Sequence, residues 1–351
     1  MKVLLTGGGT FGSVIPLIAI KEELEAGGEK HEFLWVGTKN GPEKDFVQSQ
    51  DIEYKGIYSG KLRRYFSLKN ITDIALIKLG FFESLGIIKK FKPDVIISAG
   101  SFVSFPVVLA GWILRRPALI HQLDIRPGLA NKLMAPFAKK ITVGFEKSLK
   151  DYPAKKTTWT GNPIRSSLKT SLSSEDIKEK FGLEDDLPTL LILGGGTGAL
   201  HINKLVEDSL DELVKFCQII HVTGKGKLNK NLKHKRYHVF GFLNNLPEAY
   251  KVSDGVVSRA GLGTLSELAI LGKSSLIMPM PDSHQEENAD IYLEAGAILL
   301  ANQRKLTSEE FVVKAKKIMY NDSLRWEFKE NMKKISKTGA NQEIVNIIKK
   351  L

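Results

Sequence analysis

The segment Ser258-Arg259-Ala260-Gly261-Leu262-Gly263-Thr264-Leu265-Ser266-Glu267 places a carboxylate in the first turns of a helix that opens on glycines. A carboxylate there can accept both hydrogens of a ribose diol, while the backbone N–H groups of Gly261 to Thr264 take phosphate. The same residues equally describe a capped helix with Glu267 in solvent. Two more glycine turns follow apolar runs: Gly7-Gly8-Gly9-Thr10-Phe11-Gly12 after Val3 to Thr6, and Gly194-Gly195-Gly196-Thr197-Gly198-Ala199 after Leu190 to Leu193. An apolar run, a glycine turn and a helical segment open an α/β domain at its ligand-facing edge. Their repetition predicts two similar domains facing each other with a ligand between them.

Several chemistries are disfavoured or excluded by what is missing. Gly7-x-Gly9-x-x-Gly12 satisfies the dinucleotide fingerprint, but that site also wants an acid at the end of the second strand. The corresponding strands end Val36-Gly37-Thr38-Lys39 and Val222-Thr223-Gly224-Lys225, with no acid in either place. The P-loop pattern is absent, and Cys and His residues do not fall at metal-ligand spacing. No Asp-x-Asp occurs, so any diphosphate must be held by helix N-termini and basic side chains.

The elements that must position these groups are short strands alternating with amphipathic helices. Strands are expected at Val3–Leu5, Glu32–Val36, Val95–Ser98, Ala118–His121 and Ile141–Val143, then at Thr189–Leu193, Cys217–Val222, Tyr237–Phe240, Gly255–Ser258, Ser275–Met278 and Ile298–Leu300. That alternation predicts doubly wound parallel sheets. At 351 residues two domains are expected, with the polar segment from Lys169 to Pro188 as the crossing and a lysine-rich helical tail from about Ser323. The uncharged stretch Val95 to Leu114 is long enough to span a bilayer, but Ser98, Gly100, Ser101, Ser104 and Pro106 interrupt it, so it reads as a core strand and helix. The single cysteine, Cys217, fits a reducing compartment, and the N-terminus carries no signal-peptide pattern. The net charge of +12 is concentrated in residues 1–162, with 24 Lys and Arg against 15 Asp and Glu. This points to an anionic partner or simply to solubility. No recognition module for nucleic acid is present.

Taken in order, these motifs resemble the MurG family. The resemblance is carried by Gly-Gly-x-x-Gly near the N-terminus, His121-Gln122 before Gly128-Leu129-Ala130-Asn131-Lys132, and Gly161-Asn162-Pro163-Ile164-Arg165. It continues through Gly194 to Ala199, Gly261 to Glu267, and His284-Gln285-x-x-Asn288-Ala289, essentially the full length. It implies a GT-B glycosyltransferase of two Rossmann-like doubly wound domains facing across a cleft. The implied activity moves N-acetylglucosamine from UDP-GlcNAc to undecaprenyl-diphospho-muramoyl-pentapeptide (lipid I), giving lipid II, by inverting transfer without metal or cofactor. Residues 1–162 would take the polyprenyl-diphosphate-linked acceptor and lie on the anionic inner leaflet of the membrane, peripherally and on the cytoplasmic face. Residues 163–330 would take UDP-GlcNAc, and residues 331–351 would form a helix packing back.

The resemblance also implies residue roles. Arg165, Gly196 and Thr197 would approach the donor diphosphate with Gly263 and Thr264. Leu243 would meet uracil through its backbone, Glu267 the ribose, and Gln285 the sugar hydroxyls. Gly8, Gly9, Thr10, Gly12, Ser13 and Asp124 would meet the acceptor. The basic-aromatic stretch Lys61 to Phe66, with Phe81-Phe82, Trp112 and Arg115-Arg116, would face the bilayer. Burial in the core is the competing account for Phe81 and Trp112. The chain departs from the family at three places. Ser13 stands where the family's first turn usually has histidine, His121-Gln122-Leu123-Asp124 replaces His-Glu-Gln-Asn, and Gly196 replaces a serine. With that histidine gone, Asp124 or His121 is the expected base. Three rival readings fit the same residues: a GT-B transferase acting on a diacylglycerol lipid, a UDP-GlcNAc 2-epimerase, and a non-catalytic nucleotide-sugar binder.

Overall fold

Apolar runs of four or five residues, buried on both faces, can only be central strands of a parallel sheet covered by helices. The computed structural model describes all residues except 61–68, 169, 195–198, 225, 230 and 244, and it divides the chain into two units. Met1–Ser166 and Lys337–Leu351 form the first unit, and Ser167–Ser336 the second.

The first unit holds β1 (Lys2–Thr6), β2 (Glu32–Thr38), β3 (Glu53–Ile57), β4 (Val95–Ser98), β5 (Ala118–Gln122), β6 (Lys140–Val143) and β7 (Thr157–Trp159). All pair in parallel, in the order β3-β2-β1-β4-β5-β6-β7. The second holds β8 (Thr189–Leu193), β9 (Gln218–Val222), β10 (Tyr237–Phe240), β11 (Gly255–Ser258), β12 (Ser275–Ile277) and β13 (Leu299–Leu300), again all parallel, ordered β10-β9-β8-β11-β12-β13. In each sheet the order reverses beside the first strand. A crevice therefore opens at the carboxyl ends of β1 and β4, and of β8 and β11, where ligands bind in this architecture.

The segment expected as a plain crossing folds instead. Ser173 caps the helix Ser174–Phe181 in a capping box with Asp176, and Gly182 ends it with φ +68°. The C-terminal tail is two helices, Asp322–Ile335 in the second unit and Ala340–Ile348 in the first. The second sinks Ile344, Val345 and Ile348 into the core around Val3, Leu5 and Leu17. Val95 to Leu114 divides into β4 and the helix Ser104–Ile113. Among the described residues, no helix is long and apolar enough to cross a membrane.

Candidate active site

In the first unit, the turn after β1 is held by its neighbours' side chains. Trp35 donates its indole N–H to Gly7 O at 2.9 Å. Gly8 N–H donates to Ser13 Oγ at 3.1 Å, and Gly8 O accepts from Ser101 Oγ at 2.7 Å. Gly9 N–H donates to the Glu43 carboxylate at 3.0 Å. Gly9 has φ +76° and a Cβ there would meet the Phe102 ring at 2.8 Å, so only glycine fits. Gly8, Gly9 and Ser13 were expected to meet the acceptor, but the amides of both glycines and the Ser13 hydroxyl are spent inside the turn. The outward part is Thr10 and Gly12, both exposed, at the entry to the helix Ile15–Ala26. Ser101 was not singled out from the sequence. It sits at φ +85°, a rare backbone conformation for a residue with a side chain, and bridges the β4 loop to the glycine turn.

The β5 loop lies two strand spacings from β1, roughly 10 Å. His121 is fully buried, with Nδ1 2.9 Å from Thr142 Oγ1 and Nε2 3.1 Å from Asn162 Oδ1. Burial pushes its pKa down to about 4, so the ring is neutral at pH 7. Both nitrogens are engaged and neither faces solvent, which corrects the expectation that His121 serves as base. The unfolded ring titrates near 6.5, so between pH 6.5 and 4 the unfolded chain binds the extra proton. Stability should therefore fall as pH drops through that window, by about 3 kcal/mol for this group. Thermal melts from pH 7.5 to 4.5 check this, and the slope should lessen in His121→Gln.

Gln122, also buried, shapes the loop that follows. Its Nε2 donates to Asp124 O at 2.6 Å and Arg126 O at 2.8 Å, while its Oε1 accepts from Asn131 Nδ2 and from the Tyr152 hydroxyl at 3.0 Å. Asp124 is half-buried at the carboxyl end of β5, and is the one of the two candidate bases that reaches the surface.

In the second unit, Gly196 and Thr197 lie outside the described residues. Gly261 precedes the helix Leu262–Leu271, which has no side-chain cap, and a Cβ at Gly261 or Gly263 would meet nothing within 4 Å. The first amides of that helix, including Gly263 and Thr264, thus lie beside open space with the helix dipole behind them. Glu267 is 5% exposed and accepts the Tyr250 hydroxyl at 3.1 Å. Arg259 donates Nη1 to Met278 O at 3.0 Å and Pro279 O at 3.2 Å. Met280 N–H donates to Gln285 Oε1 at 3.0 Å, and Asn288 Nδ2 to Ala260 O at 3.3 Å. The loops after β11 and β12 and the helix His284–Glu294 are thereby laced into one edge that carries Glu267 and Gln285. Arg259 and Tyr250, which make these bonds, were not singled out from the sequence, although Arg259 stood inside the quoted motif. Leu243 is half-buried in the loop after β10. Arg165 folds with the first unit, in the segment whose Ile164 N–H donates to Asn341 Oδ1 at 2.9 Å.

A cavity of about 330 Å³ in the second unit, beside Asp254, Lys273 and Trp326, lies at the amino ends of β11 and β12. That is the edge opposite the glycine turns and carries none of the motifs. Among the described residues, no group of three or more His, Cys, Asp or Glu is placed to hold a metal. On the first unit, the helix Lys69–Phe91 packs against Ser104–Ile113. Phe82 is 67% exposed and Trp112 55% exposed, with Leu79 and Ile113 also outward, while Phe81 packs on the core. Lys61 to Phe66 lie outside the described residues.

Residues 3–143 match the glycosyltransferase family 28 N-terminal domain, and residues 189–349 its C-terminal domain. With two parallel sheets, each with its glycine turn, the fold is that of a GT-B glycosyltransferase. The structure of Acinetobacter baumannii MurG superposes with a TM-score of 0.73 at 24% identity, covering 100% of this chain and 99% of that one. A Neisseria meningitidis UDP-GlcNAc 2-epimerase bound to UDP-GlcNAc gives a TM-score of 0.70 at 16% identity, with 100% of both chains covered. At those identities the likeness is one of fold. A Clostridium botulinum (strain Langeland) UDP-N-acetylglucosamine–N-acetylmuramyl-(pentapeptide) pyrophosphoryl-undecaprenol N-acetylglucosamine transferase is 38% identical over 99% of both chains. The chain belongs to that transferase family, the MurG family.

Proposed function

We infer that the protein transfers N-acetylglucosamine from UDP-GlcNAc to undecaprenyl-diphospho-muramoyl-pentapeptide, with inversion at the anomeric carbon. Family membership supports the substrates. The observation that carries the donor assignment is the buried Glu267 behind an uncapped, glycine-opened helix N-terminus. Glu267 takes the ribose diol, the amides at Gly263 and Thr264 take the diphosphate with Gly196 and Thr197, Leu243 meets uracil, and Gln285 binds sugar hydroxyls. Gln285 Oε1 is tied to Met280, which leaves its Nε2 as the donor.

The acceptor belongs to the first unit, with its diphosphate at Thr10 to Gly12. Asp124 removes the proton from the attacking hydroxyl as that oxygen displaces UDP, and the helix N-terminus stabilises the departing diphosphate. The experiment offers labelled UDP-GlcNAc with a short-chain lipid I analogue, with diacylglycerol, or with no acceptor. Label should enter the lipid I analogue alone. Label in diacylglycerol, or epimerised sugar nucleotide without acceptor, would replace this reading with one of its rivals.

The exposed Leu79 and Phe82 on one helix, and Trp112 and Ile113 on the helix packed against it, just before Arg115 and Arg116, supply apolar and basic groups suited to an anionic bilayer. Phe82→Ser and Trp112→Ser should each weaken sedimentation with phosphatidylglycerol vesicles about 10-fold, since each removes a buried ring's transfer energy. Equal sedimentation of variants and wild type would remove these residues from membrane binding.

A further inference from the structure

The sequence places no acid at the end of β2, yet the fold returns one to that spot. Glu43, fully buried, accepts at Oε1 from Thr38 N–H at 2.9 Å and Thr38 Oγ1 at 2.6 Å, and the Tyr54 hydroxyl is shared between Oε1 at 3.0 Å and Thr38 O at 2.6 Å. Its other oxygen, Oε2, accepts from Gly9 N–H at 3.0 Å. With three protein donors committed to its two oxygens and a fourth shared with Thr38 O, this carboxylate is not offered to a ribose. It occupies the first glycine turn as an internal hydrogen-bond acceptor. A Cβ at Gly8 or at Gly41 would run into it, so both glycines make room for the carboxylate itself. Burying a carboxyl group is tolerated when it is this fully hydrogen-bonded, and the bond to Gly9 links the end of β2 to the turn after β1.

We propose that Glu43 is a positioning residue for the acceptor: by holding Gly9 in its left-handed conformation, it fixes the direction in which the following Thr10 to Gly12 backbone faces the acceptor diphosphate. This rests on the reading that the acceptor lies at that turn. The two carboxylate oxygens do separate jobs, which makes the test selective. In Glu43→Gln, Oε1 can still serve Thr38 and Tyr54, but an amide NH₂ then faces Gly9 N–H, donor against donor. Tyr54→Phe removes the hydroxyl shared between Thr38 O and Oε1 and leaves the Gly9 contact.

The expected result is that Glu43→Gln raises the KM for a lipid I analogue about 10- to 100-fold, the scale of misplacing a bound group by about an ångström. The KM for UDP-GlcNAc should not move. Tyr54→Phe should lower the melting temperature and leave acceptor KM unchanged. Hydrogen exchange on the wild-type protein gives an independent readout: Gly9 N–H stays equally protected with and without the analogue, while Thr10 to Gly12 gain protection. A Glu43→Gln protein that loses melting temperature but keeps its acceptor KM, or a Gly9 amide protected only when the acceptor binds, would overturn the proposal. Gly12→Val separates the underlying reading, because its Cβ meets only Thr10 Oγ1, at an ordinary 3.7 Å, and does not touch Glu43. If Gly12→Val leaves acceptor KM unchanged, the acceptor is not at the turn and the proposal falls with that reading.

Discussion

Asp124→Asn should lower kcat by about 10²- to 10⁴-fold, the usual contribution of a positioned general base, with little change in either KM. The substitution keeps shape and hydrogen-bonding size and removes only the charge and the proton acceptor. Its neighbours do not compensate. His121 is buried with both nitrogens engaged, and Ser13 turns its hydroxyl into the glycine turn. Gln122 holds the loop through Asp124 O, a backbone contact that the variant keeps. A structural defect would instead raise acceptor KM or lower the melting temperature. Single-turnover assays at saturating substrates separate the two, and near-wild-type turnover in Asp124→Asn would refute the assignment.

The second large effect is on the donor. A carboxylate holding two ribose hydroxyls makes two charge-assisted hydrogen bonds, each worth about 1.5–3 kcal/mol. Glu267→Ala should therefore raise the dissociation constant for UDP by about 10²- to 10³-fold or more, with Tyr250 left without its acceptor. A structural explanation is separated by the ligand. UDP lacking both ribose hydroxyls should bind wild type as weakly as UDP binds the variant, and should lose little further in the variant, because the two changes remove one interaction. Equal losses for both ligands on mutation would mean that Glu267 acts through packing.

Much of this architecture is legible in the chain because central parallel strands are short, continuous apolar runs. Val95–Ser98, Thr189–Leu193, Tyr237–Phe240 and Gly255–Ser258 are strands with the bounds their composition suggests. The two strands missed, β3 and β7, lie at the two edges of the first sheet, where burial is partial. Glu53-Tyr54-Lys55-Gly56-Ile57 is charged, and Thr157-Thr158-Trp159 is too short to show a period. The site is harder to read, for two physical reasons. A strand buried on both faces has no alternation, so nothing in Ala118 to Gln122 tells an inward histidine from an exposed one. Glu43 is one of two acids after Gly41-Pro42, and only the folding of that segment brings it to Thr38 and Gly9. The glycine turns announce themselves, but which amides of the first remain for a ligand depends on side chains outside it, Ser13 and Glu43.

The central claim is direct displacement of UDP by a lipid-linked hydroxyl, and the anomeric configuration of the product tests it most directly. Labelled UDP-GlcNAc, an α-anomer, is incubated with a lipid I analogue, and the proton coupling at the new anomeric centre is measured by NMR. A β-linked N-acetylglucosaminyl lipid is the predicted product. An α-linked product, or free sugar and UDP with the acceptor untouched, would contradict the account.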